Sequence, residues 1–184
     1  MRLILLGLLA FCVFVVFNTS PSEGDIIVPG NSTDEVVLVG YSADLKQENW
    51  SCIKSRYNGT EGDWVKRTLE YRLKEGNINQ DVKMHIKIKL WKYRDVLELD
   101  KQSWLRRLTY GSNKYLIRYY DNKSLVMSNF IQNISVLEPC SFWVKTQYLN
   151  SITELANDTF RYLCRNATFV GYDTEACKDR FLTG

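Results

Sequence analysis

The sequence predicts an all-β fold whose strands close on themselves, with one helix laid against the outside of the wall. Three observations predict it. Strand-like stretches with turn residues between them recur at short intervals from Glu35 to Val144, which is the rhythm of a sandwich or an up-and-down barrel. The best of them, Val82 to Trp91, alternates apolar and polar residues along its length. A single helix-patterned stretch stands between cysteines near the C-terminus. It is apolar on one face and needs a wall to cover that face.

The chain opens on a targeting segment. Met1-Arg2 gives a positive start, Leu3 to Phe17 is apolar, and Asn18, Thr19, Ser20 and Ser22 turn small and polar. That order marks residues 1–22 as a signal peptide, with cleavage expected between Thr19 and Gly24. The apolar run is too short for a membrane span, which needs roughly twenty residues, so no membrane partner is expected after cleavage. Residues 23–184 suit a single domain able to bury a core. The 24 basic residues nearly balance the 21 acidic ones, which argues against a dedicated nucleic-acid binder.

Eight strands follow in order: Glu35–Tyr41, Asn49–Tyr57, Trp64–Leu73, Val82–Trp91, Asp95–Leu99, Lys114–Tyr120, Ser124–Ile131 and Cys140–Val144. In the fourth, Val82, Met84, Ile86, Ile88 and Leu90 point one way, and Lys83, His85, Lys87 and Lys89 the other. Such a pattern cannot be helical and marks one dry and one wet face. In the third, Val65, Arg67, Leu69, Tyr71 and Leu73 share a face. In the sixth, Tyr115, Ile117 and Tyr119 share one. The helix is expected behind Ser151, which forms an S-x-x-E capping box with Glu154; Ile152, Leu155, Ala156, Phe160 and Leu163 give its apolar face. A β-like run, Thr168 to Tyr172, comes after it.

Cys12 leaves with the signal peptide, and Cys52, Cys140, Cys164 and Cys177 remain. An even count in an exported chain reads as two disulfides, with three pairings open. Seven N-x-S/T sequons, at Asn31, Asn49, Asn58, Asn122, Asn133, Asn157 and Asn166, mark a secreted glycoprotein.

The chain lacks the parts of an enzyme. Its single histidine, His85, shares a face with lysines, so no second one is available as a base for a nucleophile. Zinc-ligand spacings, a Gly-rich phosphate loop and a G-x-S-x-G elbow are missing. No catalytic residue, metal or cofactor is therefore expected. A cavity is the better reading, because an eight-stranded barrel is wide enough for one small ligand. With eleven tyrosines and 13% aromatic residues, the chain has the amphipathic lining such a pocket uses. Arg67 stands out on an inward face, since a buried guanidinium is costly unless paired. It sits at the rim or pairs with a structural carboxylate, or else it awaits an anionic ligand group.

The order C-x-x-W-V at Cys140 to Val144, a helix closing on Cys164, and Y-D-x-x-x-C at Tyr172 to Cys177 resembles the C-terminal half of the tick salivary lipocalins, the histamine-binding family. The match extends upstream to Cys52 and so covers most of the mature chain. The resemblance implies an eight-stranded antiparallel up-and-down lipocalin barrel with a C-terminal helix packed outside. It also implies secretion in saliva and disulfides Cys52–Cys177 and Cys140–Cys164.

What the resemblance implies for function is sequestration of a small amphipathic host mediator, either a biogenic amine such as histamine or serotonin or a lipid such as an eicosanoid. The expected interior ligand residues are Arg67, Leu69, Tyr71, Met84, Ile86, Tyr115, Ile117, Tyr119 and Trp143, in a monomer. The alternative is an inhibitor that meets a host plasma protein of complement, clotting or platelet function through surface loops. Amine-binding members carry a Cys-Asp-aliphatic motif where this chain reads Ser124-Leu125-Val126-Met127, and an acid where it has Ser141. With both acids gone and Arg67 on the inner face, a neutral or anionic mediator is expected over histamine.

Overall fold

The alternation seen in the sequence becomes a sheet that closes. The computed structural model describes residues 28–45, 49–91, 95–100, 113–129 and 137–178. The signal peptide 1–22 and the sequon at Asn133 lie outside the described residues. Eight antiparallel strands follow one another around the barrel: β1 (Val36–Ser42), β2 (Trp50–Glu61), β3 (Trp64–Glu75), β4 (Ile78–Trp91), β5 (Val96–Leu99), β6 (Lys114–Tyr120), β7 (Ser124–Asn129) and β8 (Cys140–Lys145). β8 returns to β1, and β1 also pairs with β2, so this is the closed all-β barrel expected.

The closing contact is short, with Val36 opposite Ser55 and Val37 opposite Lys54. Beyond it, β9 (Ala167–Phe169) takes the flank of β1, from Gly40 opposite Phe169 to Ser42 opposite Ala167. Disulfide Cys52–Cys177 ties the start of β2 to the chain that follows β9.

β3 and β4 pair without a register shift from Val65 opposite Ile88 to Glu75 opposite Ile78. Arg67, Leu69, Met84 and Ile86 therefore share the inner face. Thr68, His85, Lys66 and Lys87 share the outer one, where His85 is exposed. The outer lysines have partners: Lys87 Nζ donates to Glu61 at 3.0 Å and Lys89 Nζ to Asp63 at 2.8 Å.

Two irregularities reverse what strict alternation predicts. In β1 the register shifts between Leu38 and Gly40, which turns Tyr41 inward. In β6 it shifts between Ile117 and Tyr119. An extra residue in one strand exchanges the faces of all that follow.

Helix α1 (Glu154–Leu163) lies outside the wall. Its cap is Thr153, whose Oγ1 accepts from Ala156 N at 3.3 Å. The expected Ser151–Glu154 capping box does not form, because Ser151 ends the 3-10 turn Thr146–Ser151. The covered face is also narrower than expected. Ile152, Ala156 and Phe160 recur every fourth residue and pack inward, while Leu155 lies about 100° round the axis from Ala156. Leu155 and Leu163 are accordingly 65% and 44% exposed.

Beneath α1, Val37, Val39, Val126, Phe142 and Val144 on the outer faces of β1, β7 and β8 meet Ala156 and Phe160. Phe142 and Phe160 sit with ring centroids 5.3 Å apart. A Cβ on Gly40 would lie 2.7 Å from Phe160 Cε1, so only glycine lets the ring come this close. Disulfide Cys140–Cys164 pins the end of the helix to β8. Each buried side chain of this size contributes roughly 1.5–3 kcal/mol.

Candidate functional site

The inner faces of the strands enclose a cavity of about 220 Å³. Antiparallel order places the end of β1, the start of β2, the end of β5, the start of β6 and the end of β7 at one mouth. The opposite end is plugged by the segment that precedes β1. Its 3-10 turn Pro29–Asn31 is closed by Val28 N donating to Asn31 Oδ1 at 2.8 Å. Val28 is fully buried against Ile88, Leu97, Ile117 and Leu125. Gly30 fits because a Cβ there would already touch Leu97 Cδ1 at 3.0 Å.

Arg67 fastens this plug. Its side chain is 1% exposed, and all five N–H groups are used. Nε donates to Ser55 Oγ at 2.9 Å. Nη1 donates to the carbonyls of Ser32 at 2.6 Å and Gly30 at 3.3 Å. Nη2 donates to those of Asp34 at 2.7 Å and Ser55 at 2.9 Å. Burial lowers the guanidinium pKa to about 10, against the raising influence of Asp34 and Glu35, and the group stays charged. The plug is held again where Lys145 Nζ meets Asp34 at 2.8 Å and Arg56 Nε meets Glu35 at 2.6 Å. The hydrogen bond from Lys145 holds the Asp34 carboxyl below its usual range. Arg67 borders the cavity, but it has no donor left over for a ligand carboxylate.

Of the residues expected inside, Arg67, Leu69, Ile86, Tyr115 and Trp143 line the cavity. Tyr71 and Met84 are inside but pack into a separate cluster, where Trp50 stacks on Tyr71 with centroids 4.3 Å apart. Ile117 is spent on the floor cluster around Val28. Tyr119 is outside altogether, a correction that follows from the bulge in β6. Its ring packs under α1, and its hydroxyl donates to Asp121 Oδ2 at 2.9 Å. Lining residues outside the expected set include Tyr41, turned in by the bulge of β1, and Asn129, which sits opposite Tyr115 at the end of β7. The available signal for Asn129 was its place on the face that Leu125 and Met127 define.

The walls are hydrocarbon and aromatic, with Val36, Leu38, Leu69, Ile86, Leu99 and Trp143 among them. No described lining residue is a carboxylic acid. Ser141 Oγ accepts from Trp143 Nε1 at 2.9 Å, and Ser55 Oγ serves Arg67. Burial pushes the Tyr115 hydroxyl up to about 12, which keeps it protonated and a donor. Among the described residues no group of three His, Cys, Asp or Glu could hold a metal ion. The sequon asparagines Asn49, Asn58, Asn122 and Asn166 are exposed, and Asn31 and Asn157 are half-buried.

No family model matches the chain. Japanin of Rhipicephalus appendiculatus is 31% identical to it over 172 residues, covering 91% of this chain and 94% of that protein. Japanin-like-RS of Rhipicephalus sanguineus is 29% identical over 178 residues, covering 96% and 99%. The crystal structure of Japanin bound to cholesterol superposes with a TM-score of 0.74 at 29% identity, over 82% of this chain and 99% of that one. The structure of AM182 in complex with serotonin has a TM-score of 0.50 at 14% identity, over 80% and 86%. That likeness bears on the fold alone.

Proposed function

This chain belongs to the tick salivary lipocalin family, and from that premise we propose that it sequesters a small, neutral, mainly apolar host mediator of the sterol class in its barrel. One observation carries the reading: the described cavity wall offers no charge to a ligand of either sign. An ammonium taken out of water needs an acid, and the described lining holds none. A carboxylate taken out of water needs a cation, and the guanidinium of Arg67 is taken by the plug. The amine and eicosanoid expectations therefore give way to an uncharged lipid. Its driving force is apolar burial, about 0.8 kcal/mol for each CH₂ removed from water. The cholesterol held by Japanin supports the class.

On the same reading the protein acts in saliva as a monomer, after loss of residues 1–22 and with glycans on its exposed sequons. The test is calorimetric titration of delipidated protein with cholesterol, histamine and arachidonate. Cholesterol is expected to saturate one site, with no heat from histamine. Submicromolar binding of histamine, without binding of cholesterol, would refute the reading.

A further inference from the structure

We propose that Tyr115 and Asn129 form the polar anchor of the cavity and select a ligand bearing a free, neutral hydroxyl, held at the mouth with its hydrocarbon toward the plug. This rests on the reading of the cavity as a neutral-lipid site. Tyr115 opens the inner face of β6 and Asn129 closes that of β7, and the two are directly opposite in the sheet. Side chains so paired start about 4.5–5.5 Å apart at Cβ.

Three other polar groups of the wall are already engaged, whereas the Tyr41 hydroxyl and the Trp50 indole N–H have no hydrogen-bond partner among the described residues. Arg67 is bound to the plug, Ser55 to Arg67, and Ser141 to Trp143. Neither the Tyr115 hydroxyl nor the Asn129 amide has a hydrogen-bond partner among the described residues. Both residues are half-buried, and a ligand that covers them strips their water. A donor or acceptor so covered without a partner costs about 1–3 kcal/mol, so a ligand that satisfies both is favoured over one that satisfies neither.

The chemistry of the pair fixes what it takes. The phenol O–H donates, while the amide offers both a carbonyl oxygen and an NH₂. An alcohol can accept from Tyr115 while donating to Asn129 Oδ1. A ketone or an ester can only accept, from Tyr115 and from the Asn129 NH₂, and so leaves Asn129 Oδ1 without a donor. A sulfate would bring a charge that nothing on this wall neutralises. Polarity also sets the direction of entry. Both residues lie at the mouth, whereas the plug end offers Pro29, Gly30, Ile88, Leu97 and Leu125.

The experiment compares cholesterol with cholest-5-ene, the same hydrocarbon without its hydroxyl, on wild type, Tyr115→Phe and Asn129→Leu. Binding is read by quenching of tryptophan emission, since Trp50 and Trp143 both line the cavity. Wild type is expected to prefer cholesterol at least tenfold. Tyr115→Phe, which keeps the ring and hence the packing, should weaken cholesterol about tenfold and leave cholest-5-ene unchanged. Asn129→Leu should do the same. Equal binding of the two sterols by wild type, or equal weakening of both by Tyr115→Phe, would overturn the anchor while leaving the neutral-lipid reading in place. If wild type binds neither sterol, that reading falls and the anchor falls with it.

Discussion

Replacing Arg67 by methionine separates a plug-holding arginine from a ligand-binding one. Methionine keeps the length and much of the volume of the side chain but removes all five donors. Four carbonyls, of Gly30, Ser32, Asp34 and Ser55, then lose their partner. At about 1 kcal/mol for each stranded carbonyl, the low end of the usual range because a loosened plug admits water, the loss is about 4 kcal/mol. Arg67→Lys should recover only part of it, since an ammonium has three donors and no planar fork. Urea unfolding gives the stability, and limited proteolysis at residues 28–34 reports whether the plug has come loose. A stability loss below about 1 kcal/mol with the plug still protected would refute the reasoning. So would a variant of unchanged stability that loses affinity only for carboxylate ligands.

Three other outcomes follow from the geometry. Tyr115 ionises near 12 in the folded protein and near 10 when unfolded, so the folded state binds its proton more tightly. Its contribution to stability is complete below pH 10 and is lost as pH rises toward 12. The free energy of urea unfolding of wild type relative to Tyr115→Phe should therefore fall by about 2 kcal/mol between pH 9 and pH 11.5; a flat difference would contradict the burial of the hydroxyl. Gly40→Ala drives a methyl into Phe160 and should cost about 2 kcal/mol. Combined with Phe160→Leu its cost should shrink, and a double-mutant cycle showing strict additivity would argue against the contact. His85→Ala, on the solvent face of β4, should change stability by less than about 0.5 kcal/mol and leave cholesterol binding intact; a large effect would mean the faces of β4 are reversed.

Legibility in the sequence followed the regularity of the backbone. β3 and β4 pair without a shift, so alternation alone placed Arg67, Leu69, Met84 and Ile86 on the inner face. Where one residue is inserted, the same rule fails at once: it sends Tyr119 inward and Tyr41 outward, the reverse of the structure. Gly40, isolated within a strand pattern, is the kind of residue that marks a bulge, but Arg118-Tyr119 carries no such signal. Arg67 was recognisable as a buried charge, but its partners are main-chain carbonyls, and every residue has one of those. By type Ser151 is the better cap and Thr153 an acceptable one; the 3-10 turn through Ser151 decides for Thr153, and nothing local announces it. The disulfide pairing came with the family resemblance, since spacing left three choices open. Tyr71 and Met84 show a further limit: facing the interior does not distinguish lining a void from filling it.

The cluster under α1 and the wall of the cavity have no residue in common, although the same three strands build both. Along β1, β7 and β8, Leu38, Leu125 and Trp143 face the cavity, while their neighbours Val37, Val126 and Phe142 face the helix. What the chamber holds and what keeps it standing are thus written in alternate letters of the same words. A lineage can rewrite one set while copying the other, since a substitution at Leu38 or Met127 changes the shape of the chamber without loosening Phe160 from its seat. The scaffold is in that sense re-lettable: a relative with a different guest needs new side chains at the inward positions and the old ones at the outward positions, on an unaltered course of the chain.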